Sequence, residues 1–387
     1  MKQYDYIFIG AGCAGLSLLT RMIHAGLCTG KRILLIDKSD KQSNDRTWCF
    51  WEKGEGFFEP LVSKQWNHLW FHSPGFSRQL QIAPYHYKMI RGLDFYQHCF
   101  SIIRQRPEIE IINGTVSALT RSEKHTQLRI NNIPHEYMAD IVFTSLWSEA
   151  AARAQKAVYL LQHFKGWMIE TDRPFFDGDQ ATLMDFRIDQ QHGTSFVYVL
   201  PLSATRALVE YTLFSEKLLP PAAYDEGLAN YMHEWLKTDA YTVAEEEFGV
   251  IPMTNARFPW YANGCYHIGT AGGQTKASSG YTFQFIQKQS AAIVAQLQKN
   301  GLSSAVRPAT VAARYPFYDA VLLRVLQRRS VTGSKVFSSM FKNNTPQSIF
   351  AFLDNESSLQ QDISIIATLP TLPFARAAVK ELLHLPA

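Results

Sequence analysis

The sequence lacks a strong excess of charge of either sign. Its 387 residues include 38 Lys and Arg against 34 Asp and Glu, a formal net charge of +4. So weak a global charge does not predict binding to nucleic acid. With 46% hydrophobic and 19% charged residues, the chain also differs from a disordered segment, which combines low hydrophobicity with high net charge. We therefore expect a folded globular protein that binds no nucleic acid.

Paired cysteines and long apolar runs are also missing. The five cysteines are widely spaced and form no C-x-x-C pair, which disfavours a disulfide framework and a zinc site and fits a reducing cytoplasm. A membrane-spanning helix needs roughly 20 apolar residues, and the longest candidate, residues 363–375, is shorter and contains Pro370 and Pro373. No signal peptide precedes the strand-like segment that starts at Tyr4. We expect a cytoplasmic protein that can lie on a membrane without crossing it.

Aromatic residues, by contrast, are abundant, with 25 Phe, 17 Tyr and 8 Trp. A core so rich in rings suits a large, flat or apolar ligand, although ordinary aromatic packing explains the composition equally well. The sequence has no H-E-x-x-H motif, no P-loop and no Ser-His-Asp order. Hydrolase and metalloenzyme functions are therefore disfavoured.

The first forty residues predict a βαβ unit that binds a dinucleotide. A strand-like run leads into the motif G-x-G-x-x-G, formed by Gly10, Gly12 and Gly15, and a helical pattern follows. These glycines let the chain approach a pyrophosphate at the helix N-terminus. Asp37, at the end of the next strand, can accept hydrogen bonds from a ribose. The position of the motif at the start of a long, discontinuous chain favours FAD over NAD as the ligand.

A second Gly-rich segment, residues 268–281, precedes a predicted helix over residues 283–298. In FAD folds of this kind a late strand and helix close around the ribityl chain and the pyrophosphate, whereas the alternative is an ordinary loop. Outside the first motif, the predicted cofactor-binding residues are Thr115, Val116, Gly269, Gly272, Gly273, Thr275, Gly280 and Tyr281.

Longer strands separated by Gly or Pro occupy residues 166–214, which predicts an antiparallel sheet inserted into the first unit. The predicted fold class is α/β, a Rossmann-like FAD-binding domain with an inserted antiparallel β-sheet substrate domain and a helical C-terminal part. The predicted divisions are the first part of the FAD-binding domain at 1–160, the substrate-binding sheet and helix at 161–248, the return of the FAD-binding domain at 249–300, and a helical region with a membrane contact at 301–387.

Two carboxylates interrupt otherwise apolar strands. Asp185 follows Leu183-Met184, and Glu210 follows Leu208-Val209. A charge in such a strand costs several kcal/mol unless it faces water, a partner or a ligand. The alternative is that both acids lie on the wet face of the sheet. A third acidic candidate is the run 245–247, most of whose charges we expect to be solvated.

Several segments together resemble the flavin-dependent lycopene cyclases of the bacterial and plant type. The similar segments are the N-terminal Gly motif and residues 46–51, 196–203, 208–212, 248–253 and 279–281. They occur in the family's order from about residue 4 to the C-terminal helices. The family's acid in a strand motif ending in Glu-x-Thr falls on Glu210, and its Met-Asp motif falls on Met184-Asp185. The resemblance therefore implies that Glu210 and Asp185 are catalytic.

The resemblance also implies the reaction, that of an isomerase of the intramolecular lyase type. A terminal double bond of lycopene is protonated, a neighbouring double bond attacks the cation, and a ring proton is lost. The linear ends become β-ionone rings, through γ-carotene to β-carotene, with reduced FAD as the countercharge and no net redox change. Gly269-Thr270 and residues 140–145 lack the Gly-Asp and Asp-Gly motifs of related hydroxylases. We therefore expect NAD(P)H as a source of electrons but not as a directly bound ligand.

The implied substrate, lycopene or a similar linear carotenoid, is insoluble in water, so we expect peripheral contact with membrane lipid. Residues 314–342 mix six basic residues and one acid with many apolar ones, which is typical of a segment on anionic lipid. A solvated basic face on a core helix fits this mixture equally well. Two other functions stay open, an FAD-dependent monooxygenase or dehydrogenase of a lipophilic substrate and a non-catalytic flavin or carotenoid carrier.

Overall fold

The computed structural model describes residues 1–122, 125–155, 157–300 and 306–383. Residues 301–305 and 384–387 of the predicted helical C-terminal region lie outside the described residues. The described strands are β1 (Lys2–Ile9), β2 (Ile33–Asp37), β3 (Thr47–Glu52), β4 (Lys64–Trp66), β5 (His68–Ser73), β6 (Phe76–Gln81), β7 (His86–Arg91), β8 (Ile109–Asn113), β9 (Val116–Arg121), β10 (Thr126–Ile130), β11 (Glu136–Thr144), β12 (Tyr159–Glu170), β13 (Gln180–Asp185), β14 (Thr194–Pro201), β15 (Arg206–Ser215), β16 (Thr242–Thr254), β17 (Tyr261–Ala262) and β18 (Cys265–His267).

Helices connect these strands and dominate the C-terminal part. The described helices are α1 (Cys13–His24), α2 (Gly92–Ile103), α3 (Glu149–Arg153), α4 (Pro221–Glu234), α5 (Phe283–Asn300), α6 (Arg314–Gln327), α7 (Gly333–Asn343), α8 (Pro346–Leu353), α9 (Leu359–Ala367) and α10 (Thr371–Leu382). Over the ranges described, no helix combines the length and the apolar character needed to cross a membrane.

The first large sheet confirms the predicted Rossmann-like unit. Its order is β17-β18-β11-β1-β2-β8, and β18, β11, β1, β2 and β8 run parallel. One face, which includes Phe8 and Leu35, packs on α1, α2 and α5. The other face, which includes Ile7 and Leu34, packs on β9 and β10. Because both faces are covered, the strands are almost continuously apolar, as parallel strands usually are.

The second large sheet confirms the predicted antiparallel insertion. Its order is β16-β12-β15-β14-β13-β5-β6, and only β13 and β5 pair in parallel. Successive residues of a strand point to opposite faces. In β15, Val209 and Tyr211 therefore pack with α4, whereas Leu208 and Phe214 lie in the cluster on the other face, with α6, α7 and α8.

The insertion is larger than its predicted range. Strands β5 and β6 precede residue 161 but extend this sheet through the pairing of β5 with β13. The predicted boundaries at 160/161 and 248/249 fall inside β12 and β16. A third sheet, of order β3-β7-β4, lies in the N-terminal part of the chain.

The segment 314–342, whose composition fits a lipid contact and a core helix equally well, turns apolar residues toward the core. It forms α6 and α7, and Leu323, Phe337 and Phe341 are buried in the same core cluster as the second sheet. Arg314 binds Asp362 at 2.7 Å, and Arg324 binds Glu381 at 2.6 Å. Exposed large apolar residues occur further on, in and just after α9 and α10. They are Leu359, Ile363, Ile366, Leu372, Val379, Leu382 and Leu383.

Candidate active site

A cavity of about 500 Å³ is lined by strands of the second large sheet and of the third sheet, and by the segments that follow β1, β11 and β18 of the first large sheet. Its lining includes Gly12 and Cys13, where α1 begins, and Glu210 on β15. Residues 45–49 and residues 279–283 also line it. The cavity therefore joins the predicted dinucleotide motif to the predicted acid.

The turn before α1 can be built only with glycine at two positions. Gly10 has φ +104°, a conformation that L side chains rarely adopt. A Cβ on Gly15 would lie 2.0 Å from the carbonyl oxygen of Gly10, so α1 could not pack as closely against the turn. A Cβ on Gly12 would meet no atom within 4 Å, because Gly12 faces the open cavity. The turn thus exposes backbone at the start of a helix, which suits a phosphate.

Asp37 lies beside this turn, at the carboxyl end of β2. Its Oδ2 accepts a hydrogen bond from the backbone N–H of Ala11 at 2.6 Å. The N–H of Gly114 donates to the backbone carbonyl of Asp37 at 2.8 Å, which brings Thr115 and Val116 to the same sheet edge. Thr115 is exposed and Val116 is half-buried. These three predicted residues thus lie together at the edge where α/β folds bind nucleotides, outside the lining of the main cavity.

The late Gly-rich segment contributes two groups of residues. Gly269, Gly280 and Tyr281 line the cavity. The other predicted residues shape the turn behind it. A Cβ on Gly272 would lie 2.2 Å from a backbone oxygen, Gly273 has φ +74°, and the Thr275 hydroxyl bonds to that of Thr270 at 3.0 Å.

Two buried polar atoms in this wall of the cavity have no hydrogen-bond partner among the described residues. Gln162 and Ser279 line it, and among the described residues the Oε1 of Gln162 and the Oγ of Ser279 are buried without a hydrogen-bond partner. A Cβ on Gly280 would lie 1.9 Å from Oε1 of Gln162. Because buried polar groups are normally hydrogen-bonded, these atoms fit a polar ligand that passes along Gly280.

Glu210 lies deep within the protein on the face of the second sheet that lines the cavity. The residue is half-buried, because part of its surface is turned to the cavity. The hydroxyl of Thr212 donates to its Oε1 at 2.8 Å. Burial, followed by the charge of Glu247, raises the pKa of Glu210 well above its ordinary value. This carboxyl group is therefore suited to carry a proton at neutral pH.

Glu247 belongs to the third acidic candidate, the run 245–247, but the sequence interpretation did not single it out from its two neighbours. Burial raises the pKa of Glu247, while hydrogen bonds from Thr47 and Glu210 oppose the rise. Its neighbour Glu246 points to the other face and pairs with Lys165 at 3.0 Å. Alternation along β16 was the available signal, because adjacent glutamates in a strand must point to opposite faces.

Asp185, which the resemblance implies is catalytic, does not lie beside Glu210. It ends β13 and is directed to the face covered by α4, where the hydroxyl of Tyr231 donates to its Oδ2 at 2.8 Å. Arg187 binds it through two nitrogens, at 2.9 Å from Nε and 2.5 Å from an Nη atom. Burial alone would raise the pKa of Asp185, but these hydrogen bonds and the charge of Arg187 outweigh burial and lower it. Asp185 is absent from the lining of the cavity.

Aromatic side chains form the apolar wall around Glu210. Tyr87, Tyr198 and Tyr281 line the cavity together with Phe164, and the hydroxyls of Tyr198 and Tyr281 are 3.5 Å apart. Burial raises the pKa of each of the three tyrosines, so their hydroxyls are neutral. Other rings, such as stacked Phe8 and Phe143, pack in the core.

Solved structures that share the fold include flavin-dependent proteins. The flavin-dependent brominase Bmp2 has a TM-score of 0.63 at 13% identity, over 99% of this chain and 100% of its own. A mutant of the halogenase PltM, solved in complex with FAD, has a TM-score of 0.57 at 11% identity, over 96% of this chain and 87% of its own. The fold is that of the flavoproteins, in agreement with the class predicted from the sequence.

Sequence comparison is more specific than the fold. The family model "Lycopene cyclase protein" matches residues 5–379, and the chain belongs to this family. Lycopene beta-cyclase of Paracoccus sp. (strain N81106 / MBIC 01143) is 28% identical over 97% of this chain and 96% of its own. Lycopene beta-cyclase of Pantoea ananas is 25% identical over 72% of this chain and 71% of its own.

Proposed function

We propose that the chain is a lycopene β-cyclase, an isomerase of the intramolecular lyase type that converts lycopene through γ-carotene to β-carotene. The observation that carries this proposal is Glu210, a carboxyl group with a raised pKa in an aromatic cavity that begins at a dinucleotide-type Gly turn. Protonation of a double bond needs an acid that is neutral at physiological pH and a site that excludes water. The relation to two curated β-cyclases supports the ring type.

FAD is the cofactor that fits the cavity. Gly12 and the first N–H groups of α1 would hold the pyrophosphate, Asp37 with Thr115 and Val116 would hold the adenosine end, and Gln162 and Ser279 would contact the rest. Arg46, which lines the cavity, adds a positive charge for an anionic ligand. When bound in its reduced form, FAD would supply negative charge near the reacting end of the substrate. NAD(P)H is proposed only as the source of electrons for that reduction.

The protein's own groups account for the proton movements. Glu210 gives its proton to the terminal double bond, and the neighbouring double bond then closes the ring. The rings of Tyr198, Tyr281 and Phe164 stabilise the cation by about 0.5 to 2 kcal/mol each and exclude water. Loss of a ring proton completes an isomerisation in which no atoms are gained. We assign Asp185 to the stability of the sheet rather than to this chemistry.

We further propose that a cytoplasmic form of the protein contacts membrane lipid through α9 and α10. Leu359, Ile363 and Ile366 recur at helical spacing along one side of α9 and are exposed. The acids of the two helices, Asp362 and Glu381, are neutralised by Arg314 and Arg324. The remaining charges of these helices, Arg376 and Lys380, are positive, which fits an anionic lipid surface.

Expression in a bacterium that accumulates lycopene, followed by pigment analysis, tests the function. The expected product of the wild-type chain is β-carotene, and cells with Glu210→Gln are expected to retain lycopene. Glu246→Gln is the matched control, because Glu246 points away from the cavity, and it should behave as the wild type does. Persistent lycopene with the wild-type chain would overturn the function, and full cyclisation by Glu210→Gln would overturn the assignment of the acid.

The same pigments separate the alternatives. A product that contains oxygen, formed with consumption of NAD(P)H, would indicate a monooxygenase. Pigment that copurifies with the chain unchanged would indicate a carrier.

Vesicle sedimentation tests the lipid contact. The double variant Ile363→Lys with Leu372→Lys should sediment less with vesicles of anionic phospholipid, whereas Lys335→Ala in α7 should not. Equal sedimentation of both variants would place the contact elsewhere.

A further inference from the structure

Three strands of the second sheet place a pair of carboxyl groups side by side with a glycine between them. In the pairing of β12 with β15, Gly166 lies opposite Glu210, and in the pairing of β12 with β16 it lies opposite Glu247. Residues at matched positions of neighbouring strands point to the same face. Glu210, Gly166 and Glu247 therefore form one row across the cavity face of the sheet.

We propose that Glu247 is a positioning residue that holds the reactive proton on Glu210, and that Gly166 is the spacer that lets the two carboxyl groups meet. The proposal rests on the proposed function in one respect, that the proton is given to the substrate. The pair itself is a property of the folded chain.

The space above Gly166 is occupied by Glu247 itself. A Cβ on Gly166 would lie 2.9 Å from Cγ of Glu247 and 3.0 Å from a methyl carbon of Leu208. A side chain at this position would therefore force Glu247 or Leu208 to shift. Gly166 is buried within a long strand, where glycine is otherwise unfavourable, so close approach of these side chains explains its presence.

The hydrogen bonds of Glu247 leave room for one proton. Its Oε2 accepts from the hydroxyl of Thr47 at 2.7 Å. Its Oε1 is buried and, among the described residues, has no donor. Ionised carboxylates only accept hydrogen bonds, so two ionised groups could not satisfy this atom. A protonated Glu210 can donate to Glu247, which agrees with the opposite effects that this hydrogen bond has on the two pKa values.

The other groups that face the pair do not replace Glu247. Cys49 and Tyr87 on the third sheet, Tyr198 on β14 and Tyr281 are kept neutral by raised pKa values. Among the cations, Arg91 and Arg206 are bound to Glu245 at 3.1 and 2.8 Å. Arg46 acts on Glu247 by its charge. Glu247 is thus the negative charge that most directly keeps Glu210 protonated.

The pair also closes the proton balance of the cyclisation. When the O–H bond of Glu210 breaks and a C–H bond forms on the substrate, two carboxylates face each other. Their repulsion favours the return of one proton to the pair. The C–H bond of the cyclic cation that breaks supplies this proton, and its electron pair becomes the ring double bond. No oxidant or reductant is consumed.

Infrared titration of the purified, flavin-loaded protein tests the pair without any turnover. Burial raises the pKa of Asp354 to about 7, so this carboxyl contributes its own band near neutral pH. The wild type should show a further band of a protonated carboxyl, and Glu210→Gln should abolish this further band. In Glu247→Gln the Glu210 band should titrate at a lower pH, by about one unit or more, because the neighbouring negative charge is gone. Glu247→Asp, which keeps the charge, should restore most of the wild-type value, and Gly166→Ala should lower it.

An unchanged Glu210 titration in Glu247→Gln would overturn the proposal, and so would a shift of equal size in the control Glu246→Gln. If Glu247→Gln does not fold, the test becomes a comparison of Gly166→Ala, in which the Glu210 band should titrate at a lower pH, with Glu247→Asp, in which it should titrate close to the wild-type value. In the cyclisation assay, the alkaline limit of activity should move to lower pH with the band. Failure of the wild type to cyclise lycopene would instead count against the proposed function and leave the titration result valid.

Discussion

The two faces of the second sheet shift the pKa of a buried carboxyl group in opposite directions. Asp185 and Glu210 both interrupt apolar strands and are separated by one strand, β14, in which Val197 pairs with Asp185 and Tyr198 with Glu210. On the face toward α4, the pKa of Asp185 is lowered, because Arg187 and Tyr231 outweigh the effect of burial. The cavity face offers burial and a second carboxylate, and raises the pKa of Glu210.

Part of this difference in pKa comes from the residue two positions after each acid. Arg187 stands two positions after Asp185, and Thr212 stands two positions after Glu210. The guanidinium of Arg187 forms three charged hydrogen bonds with Asp185, whereas the hydroxyl of Thr212 donates one hydrogen bond to Glu210. An acid in an apolar strand is therefore an ambiguous signal by itself. The neighbours that share its face decide between a structural ion pair and a proton donor.

The largest effect should come from Glu210→Gln. We expect the rate of cyclisation to fall by about 10²- to 10⁴-fold, the usual contribution of a general acid. The free energy of unfolding at neutral pH should be unchanged or higher. An acid whose folded pKa is raised loses stability as pH rises above its unfolded pKa, and Gln removes this loss. Initial rates and urea unfolding check both parts, and a large loss of stability with a normal rate would reverse the comparison.

Asp185→Asn should have the opposite profile. Breaking a buried ion pair leaves Arg187 without its partner, and we expect a loss of about 3 kcal/mol in the free energy of unfolding. The folded pKa of Asp185 is lowered, so its stabilisation is present above the unfolded pKa of about 4 and is lost as pH falls through the folded value. The difference between wild type and variant should shrink at acid pH. Activity per folded molecule should stay within about twofold, and a loss as large as that of Glu210→Gln would restore Asp185 as catalytic.

Thr212→Val should have the smallest effect. The hydroxyl of Thr212 donates to Glu210 and lowers its pKa, so its removal should raise that pKa. The alkaline limit of activity should then move to higher pH by a fraction of a unit, the reverse of the direction expected for Glu247→Gln. A pH profile of kcat measures the shift. A move to lower pH would show that Thr212 does not act on the ionised form of Glu210.

Local spacing made much of this fold predictable. Gly10, Gly12, Gly15 and Asp37 act within one βαβ unit, so their sequence pattern is enough to place them. The strand pairing of β5 with β13 joins residues more than a hundred positions apart, and no local pattern carries it. The predicted domain boundaries cut β12 and β16 because these strands extend beyond the apolar segments that are visible in the sequence.

The site was predictable only in part. Glu210 stands out as a charge in an apolar strand, but Glu247 lies among other glutamates, and its burial depends on the register of β16 with β12. For residues 314–342 the sequence could not decide between a lipid contact and a core helix, and in the structure Leu323 and Phe341 are buried in the core. Ile363 and Leu372 are also apolar but exposed. Only the packing of the helices distinguishes these exposed residues from the buried Leu323 and Phe341.

The isotopic composition of the product tests the central claim, that Glu210 protonates the substrate, most directly. The flavin-loaded protein would be exchanged fully into D2O and given lycopene for a single turnover without oxygen, and the product would be analysed by mass spectrometry. The account predicts one deuterium for each ring formed, because the donated proton comes from an exchangeable carboxyl group. A cyclic product without deuterium, or a product that requires oxygen, would contradict it.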